Sequence, residues 1–252
     1  MTTGRTTKKY LRVYVDEFGG FNDDFFNIGG LACEFGEPMG AAFADEIKNL
    51  KGGPGQGRIS MGTLSGYLHA GGSDFHESLK TPATERIVSV LFGIRGVPAQ
   101  GDPAFCGQML QGAYRSQDLS DGAIVAVDLP LNEWAGDATS LAICKGMGFV
   151  LDPGSAARTA VNSSGGVNYG AQTTDGALGF LHILSTNGTC TFSIQDSAND
   201  SDWATLLTFA AGGDSVAAEV KAATGTVDQY TRWQISLGTA TSVTFVMSLV
   251  RG

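Results

Sequence analysis

Charged and chemically reactive side chains are scarce in this sequence. Only 16% of its 252 residues are Asp, Glu, Lys or Arg, and it has three histidines and four cysteines. It contains no Gly-x-Ser-x-Gly elbow, no Gly-Lys-Ser/Thr phosphate loop and no Cys-x-x-Cys pair. Because these patterns carry nucleophilic, phosphate and metal chemistry, their absence predicts a protein that is not an enzyme and needs no cofactor.

Long apolar runs are also missing. Residues 1–20 contain no stretch that resembles a signal peptide, and nowhere do eighteen uncharged apolar residues follow one another. We therefore expect a soluble protein, made in a cytoplasm and not bound to a membrane. Cys33, Cys106, Cys144 and Cys190 lie far apart, which favours reduced, buried thiols over disulfides or a zinc site.

The charge is acidic and unevenly distributed. A net charge of −9 argues against a surface that binds nucleic acid by neutralising phosphates. The N-terminal arm is basic, with Arg5, Lys8, Lys9 and Arg12. The following segment is acidic, and its candidates for an acidic face or lumen are Asp16, Glu17, Asp23, Asp24, Glu34 and Glu37. This pattern predicts self-association, in which the basic arm of one copy lies on the acidic face of the next. The alternative is a solvated tail next to a solvated face.

Glycine is abundant, with 36 residues, and favours many short strands and turns over long helices. Period-two patterns predict strands at 10–17, 26–35, 58–68, 85–95, 104–115, 122–130, 178–185, 189–195, 204–210, 215–222, 227–237 and 243–250. One helix is expected in the 37–53 segment, where Phe43, Ile47 and Leu50 share one face as core residues and Gly52 ends the helix.

A stretch of small polar residues divides the chain. Residues 152–176 offer little to bury, so we expect a first domain at 1–155, a linker at 156–176 and a compact β-sandwich at 177–252. In the second domain, residues 230–250 have the pattern of a β-hairpin. Its apolar side includes the predicted core residues Trp233, Ile235, Phe245 and Met247.

Candidate sites for chemistry are weak. His76 lies near Asp74 and Glu77 in what looks like an exposed loop, and His182 alternates with apolar residues as a core or interface histidine would. The loop with Asp196, Asp200 and Asp202 suggests either a hairpin turn with Asx hydrogen bonds or a calcium site.

Two further features have a binding interpretation and a structural one. Trp203 and Trp233 are either a sugar-stacking platform or core residues. The glycines Gly52, Gly53, Gly55 and Gly57 follow the predicted helix, whereas a phosphate cradle precedes one, so they indicate a flexible connection or a subunit contact.

The layout of segments resembles a tailed-phage major tail tube protein of the long non-contractile type with a C-terminal β-sandwich. The matching text is "RVYVDEF", "FADEIKNLKGGPGQGRISMGTLSGYL", "GIRGVPAQGDPAFCGQM" and "ATGTVDQYTRWQISLGTATSVTFVMSLVR". The resemblance implies a mainly β fold: a tail-tube-like β-barrel or sandwich domain with one α-helix, plus an immunoglobulin-like β-sandwich.

The resemblance also implies a function. It describes a subunit of stacked hexameric rings in the virion tail, made in the host cytoplasm, with a tape-measure protein, a tail terminator and distal tail proteins as partners. DNA would only pass through the channel, and an acidic lining would keep it from binding. The alternatives are another virion structural protein, such as a capsid decoration or tail-end protein, and a carbohydrate-binding sandwich module.

Overall fold

The computed structural model describes residues 8–19, 25–28, 31–35, 57–67, 79–94, 96–117, 126–129, 131–133, 147–210 and 212–252. After a 3-10 turn at Lys8–Tyr10, the first part contains β1 (Leu11–Val15), β2 (Phe18–Gly19), β3 (Phe25–Ile28), β4 (Leu31–Phe35), β5 (Gly57–Met61), β6 (Leu64–Tyr67), β7 (Glu85–Phe92), β8 (Pro103–Gln111), β9 (Arg115–Gln117), β10 (Ala126–Leu129) and β11 (Leu131–Glu133). The second part contains β12 (Met147–Pro153), β13 (Asn162–Ser163), β14 (Val167–Asn168), β15 (Ala177–Thr186), β16 (Cys190–Ser197), β17 (Ala204–Thr208), β18 (Ala217–Ala223), β19 (Tyr230–Leu237) and β20 (Val243–Arg251).

The largest sheet has nine strands in the order β18-β15-β20-β12-β8-β7-β1-β2, with β11 paired to β8. All pairings between these strands are antiparallel. Its strands come from both sides of the predicted domain boundary, so hydrogen bonding continues from one predicted domain into the other. The division into two domains stays a prediction, and any such division would have to cross this sheet.

The central strands of the nine-stranded sheet are buried on both faces. On β15, Leu181 and Ile183 belong to one core while Leu178 and Phe180 belong to another. β20 divides in the same way, because Phe245 and Met247 lie on one face and Val246 and Val250 on the other. Successive side chains of a strand point to opposite faces, and two covered faces require near-continuous apolar runs such as "TFVMSLV".

This sheet folds over onto itself. In the strand order β15 lies four steps from β7, a distance of about 19 Å in a flat sheet at the usual strand spacing. Nevertheless, Nε2 of His182 on β15 lies 2.8 Å from Oγ of Ser89 on β7. The sheet therefore encloses a space, here called the rolled-sheet interior, which is lined by Tyr14, Leu91, Ala104, Cys106, Val150, Leu178, Phe180, Val246 and Val250.

A five-stranded sheet covers the outer face of β15 and β20. Its order is β13-β19-β16-β17, with β14 also paired to β19. The two sheets form a sandwich around the inter-sheet core, whose large members are Leu151, Leu181, Ile183, Phe192, Ile194, Trp233, Ile235, Phe245, Met247 and Leu249. A mainly β fold with a β-sandwich is thus confirmed.

Smaller sheets accompany the opposite end of the large sheet. One has four strands in the order β3-β6-β10-β9, and the other pairs β4 with β5. Met61 and Leu64 from this region pack with Val88, Phe105 and Met109 in a third core on the outer face of β7 and β8.

The hairpin predicted at 230–250 is wrong, although both of its strands exist. β19 pairs with β16 in the five-stranded sheet, whereas β20 pairs with β12 and β15 in the nine-stranded sheet. The segment is an arch that crosses from one layer of the sandwich to the other. A hairpin and an arch share the same alternation of apolar residues, since in both cases one face of each strand is buried.

Other strand predictions differ in detail. The strands expected at 26–35 and 58–68 are each two strands that belong to different sheets, whereas the strand expected at 104–115 is β8, which ends at Gln111. The segment 85–95 is a strand, as its β-branched residues predicted, and all six strands expected after residue 177 are present. The predicted helix, with Phe43, Ile47 and Leu50, lies outside the described residues.

The predicted linker is tied to both sheets. β13 and β14 lie within residues 156–176 and pair with β19. Arg158 forms a bridge with Val243, and Thr173 with Val227. Few of these side chains are buried, which agrees with their composition, but the backbone hydrogen bonds fix the path of the segment across the sandwich.

Candidate functional site

The most concentrated polar chemistry in the described residues lies in the rolled-sheet interior and at its entrance. His182 and Ser89 are fully buried there, and Cys106 lies opposite Ser89 on β8. The sequence signal for Ser89 was a lone polar residue within the apolar run "IVSVLF", and it was missed. The sequence predicts His182 as a satisfied core or interface histidine, and the structure places it in the core.

The hydrogen bonds of His182 define its protonation. Nδ1 lies 2.6 Å from the backbone oxygen of Asp16, and a carbonyl oxygen can only accept. Nδ1 therefore carries the proton, and Nε2 accepts from the Ser89 hydroxyl at 2.8 Å. Burial lowers the pKa of His182 from 6.5 to about 4, so the imidazole is neutral at physiological pH.

The turn between β1 and β2 aims that carbonyl at His182. Asp16 has φ of 53°, in the left-handed region that Asp tolerates better than most residues. Its carboxylate accepts from Nη1 of Arg86 at 2.9 Å and from the backbone N–H of Ile87 at 2.8 Å. Asp16, a candidate for the acidic face or lumen, forms an ion pair with the buried Arg86.

Arg86 extends the network to β8. Its Nε donates to Oε1 of Gln111 at 2.9 Å, and Nε2 of Gln111 donates to the Leu79 oxygen at 2.6 Å. Gln111 is fully buried, so each of these bonds satisfies a group that water cannot reach. The network joins β1, β7, β8 and β15 at the place where the sheet closes over itself.

The arrangement does not support catalysis on an external substrate. A serine hydroxyl bonded to a histidine resembles the start of a nucleophile–base pair, but both side chains are fully buried. Burial also raises the pKa of Cys106 to about 12 and that of Tyr14 to about 12, which keeps both groups protonated. The network is suited to holding strands in position.

A second ion pair ties the predicted linker to the sheet. Oδ2 of Asp152, at the end of β12, accepts from Nη2 of Arg158 at 2.7 Å, and Oδ1 accepts from the Gly154 N–H at 2.8 Å. Burial raises the pKa of the Asp152 carboxyl. The Gly154 N–H and the Arg158 guanidinium lower that pKa, but by less than burial raises it. The Arg158 guanidinium lies over the Trp233 ring, 5.0 Å from its centroid.

The loop after β16 is a turn with Asx hydrogen bonds, as one of its two interpretations predicted. Oδ1 of Asn199 accepts from the N–H groups of Ser201 at 3.0 Å and Asp202 at 2.9 Å. Asp196 points elsewhere and accepts from the Asp228 N–H at 3.0 Å. Among the described residues, no group of three or more His, Cys, Asp or Glu is placed to hold a metal ion.

The two tryptophans do not form a shared platform. Trp233 is buried in the inter-sheet core against Phe245, with ring centroids 5.4 Å apart. Trp203 is half-buried on the outside, and the Arg232 guanidinium stacks on it at 4.2 Å. The predicted core residues Ile235, Phe245 and Met247 are buried beside Trp233.

Of the predicted assembly residues, few fall in the described part. Lys9 is exposed, and Nη1 of Arg12 donates to the Leu11 oxygen at 2.9 Å. Gly57 begins β5, and Glu17 is half-buried beside the β1–β2 turn. Side chains outside the described residues are those of Arg5, Lys8, Asp23, Asp24, Glu34, Glu37 and His76, together with Gly52, Gly53 and Gly55.

Two strands that each end a sheet in the described part of the chain lie side by side. β18 pairs with β15 and β17 pairs with β16, and neither pairs with a further strand in the described part of the chain. The two edges lie next to each other, one from each layer of the sandwich. Val216, immediately before β18, has 46% of its surface exposed. Open edges offer unpaired N–H and C=O groups to another strand.

Cys106 and Cys190 are free and buried, which confirms reduced thiols for these two. Within the ranges that the structure describes, no helix has the length and apolar character needed to cross a membrane.

Comparison with known proteins gives little. No protein-family model and no curated protein matches the sequence. Among solved structures, a chain in the phage p2 baseplate, in its activated conformation with Sr, is similar with a TM-score of 0.29 and 8% identity. The alignment covers 94% of this chain and 97% of that one, but at this TM-score it carries no argument about fold or function.

Proposed function

We propose that the protein is a structural subunit of a bacteriophage virion, and within the virion the major tail tube subunit. The observation that carries the proposal is the pair of adjacent strands β17 and β18, each of which ends its sheet in the described part of the chain. A subunit that closes into a ring covers such edges with copies of itself, whereas a monomer leaves them exposed to other chains.

The chemistry of the described residues supports a structural role. The histidine, thiol and hydroxyl groups of the rolled-sheet interior are buried and engaged in holding strands together. A net charge of −9 suits a channel wall that must not retain DNA, because nonspecific affinity grows with each phosphate that a base neutralises.

The finer parts of the proposal come from the sequence resemblance. They are stacked hexameric rings, an acidic lumen around a tape-measure protein, contacts with tail terminator and distal tail proteins, and a location in the virion tail. In this assembly the basic arm would lie on the acidic face of the next subunit.

Electron microscopy of the purified full-length protein tests this proposal. We expect rings or tubes in negative stain at high protein concentration. Replacing Arg5, Lys8, Lys9 and Arg12 together by Gln should shorten or abolish tubes while the melting temperature stays unchanged. Particles that remain monomeric at every concentration, with or without these bases, would contradict a tube subunit.

The alternatives predict other locations and ligands. A capsid decoration protein would label only the head in immunogold microscopy of virions, and a tail-end protein only the tip. A carbohydrate-binding module would give hits on a glycan array that depend on Trp203, since Trp233 is buried and cannot contact a sugar.

A further inference from the structure

In the described part of the chain β18 ends the nine-stranded sheet, and its sequence is symmetric in size about its centre but opposite in charge on the two sides. From Ala217 to Ala223 the strand is Ala-Ala-Glu-Val-Lys-Ala-Ala, with Val220 at its centre. Glu219 and Lys221 are two residues apart and therefore lie on the same side of the sheet. Lys221 and Ala222 are exposed, and the preceding four residues are half-buried.

An antiparallel copy of this strand would match it residue by residue. If two β18 strands pair around Val220, Glu219 of each copy faces Lys221 of the other, and each terminal alanine faces an alanine. Moving the centre by one residue would place Glu219 opposite its own copy, or Lys221 opposite its own copy. Opposite charges in directly facing positions stabilise a strand pair, and like charges destabilise it.

From this match we propose that β18 is the contact of a two-fold symmetric dimer, in which the nine-stranded sheets of two chains join edge to edge. The occupant of the edge is a second copy of this chain. Small side chains at both ends allow the partner's backbone to approach, and alternate residues of an antiparallel edge strand turn their N–H and C=O groups outward to receive it. The contact is isologous and closed, so it stops at two chains.

The pairing of two β18 strands does not require Glu219 or Lys221 to lack partners within its own chain. A carboxylate can accept several hydrogen bonds, so Glu219 can meet the partner's lysine while keeping other contacts. The proposal goes beyond ring formation, because a ring joins different surfaces head to tail whereas this contact joins one surface to itself. In a tube subunit this contact would occupy β18, and β17 alone would remain for the contact within a ring.

Charge exchange in the full-length protein tests the register. Glu219→Lys alone and Lys221→Glu alone each place two like-charge pairs in the contact, and we expect the dimer dissociation constant to rise roughly tenfold to thirtyfold. The double variant, Glu219→Lys with Lys221→Glu, restores opposite pairs and should dimerise as the unaltered chain does. A 1:1 mixture of the two single variants should form a mixed dimer.

Sedimentation velocity over a concentration series measures these constants, with Asp214→Lys as a control for a charge change on an exposed loop. Lys221 is exposed, so Lys221→Glu should leave the melting temperature unchanged. The proposal is overturned if the unaltered chain shows no dimer, if the single variants associate as it does, or if neither the double variant nor the mixture restores association. Absence of rings in microscopy would count against the tube and leave this result standing.

Discussion

The inter-sheet core and the rolled-sheet interior share β15 and β20, yet they are built from different chemistry. The inter-sheet core contains aromatic rings in edge-to-face contact, with Phe192 5.0 Å and Trp233 5.4 Å from Phe245. The rolled-sheet interior contains a histidine, a serine and a thiol among aliphatic side chains, and it adjoins the Asp16–Arg86 ion pair.

The difference shows how each region is stabilised. Apolar packing depends on area and fit, so the inter-sheet core should respond mainly to loss of volume. Hydrogen bonds depend on direction and protonation, so the rolled-sheet interior should respond to changes of charge and pH that leave volume nearly unchanged. Variants and conditions that change one of these properties at a time should therefore separate the two regions.

The largest effect should come from removing the central ring of the inter-sheet core. Trp233 is 3% exposed, and Trp233→Ala should lower the free energy of unfolding by about 3 to 5 kcal/mol in urea denaturation. Trp203→Ala is the matched control, because that ring is half-buried outside the core, and its cost should be clearly smaller. Equal costs for the two tryptophans would mean that the inter-sheet core is not what holds the sandwich together.

Removing the cation at the entrance of the rolled-sheet interior should cost somewhat less. Arg86→Ala leaves the Asp16 carboxylate and the buried Gln111 amide without their shared partner, at a cost of about 3 kcal/mol. Arg115→Ala, on an exposed arginine, should stay within about 0.5 kcal/mol of the unaltered chain. Chemical denaturation of both variants in parallel would show whether the ion pair or the loss of charge is responsible.

Acid should weaken the rolled-sheet interior through His182. Its pKa is about 4 in the folded chain, against 6.5 for an unburied histidine, so the unfolded chain binds the proton first as pH falls. This contribution to stability is full above pH 6.5 and is lost towards pH 4, with a fall of about 2 kcal/mol between pH 7 and pH 5. His182→Gln should flatten the pH dependence over that interval, and an unchanged slope in this variant would assign the titration to other groups.

The smallest effect is expected at Cys106. Cys106→Ala removes one sulfur atom from the rolled-sheet interior and should cost about 1 kcal/mol. Burial raises the pKa of this thiol from 9.0 to about 12, which lowers the thiolate fraction roughly a thousandfold. Mass spectrometry after brief alkylation should find Cys106 unmodified in the folded protein and modified in urea. Rapid labelling of the folded chain would show that the interior is open to solvent.

The sequence predicted the strands of the second half well and their partners poorly. Alternation at 230–250 predicted that Trp233, Ile235, Phe245 and Met247 are buried. A period of two places one face of a strand against a core, but it does not show which strands form that core. It could not distinguish a hairpin from an arch, because partner choice depends on residues far away, here on β16 and on β12 with β15.

Polar residues of the candidate site were harder to predict. Ser89, Gln111 and Asp152 each stand alone beside apolar runs, where a sequence gives no indication of a hydrogen-bond partner. Asp16 was grouped with its acidic neighbours by charge, and its pairing with Arg86 joins residues 70 positions apart.

By itself the sequence indicated that this chain forms many short strands and which faces of those strands are apolar. It also indicated burial of Cys106, Cys190 and His182, because period, composition and burial tendency are local properties. Tertiary structure alone decided that the large sheet rolls over to bring His182 to Ser89 and that the last two strands lie in different layers. It also decided that, in the described part of the chain, β17 and β18 end those layers. These outcomes depend on which distant surfaces meet. The residues in such contacts lie far apart in the sequence, so no local pattern links them.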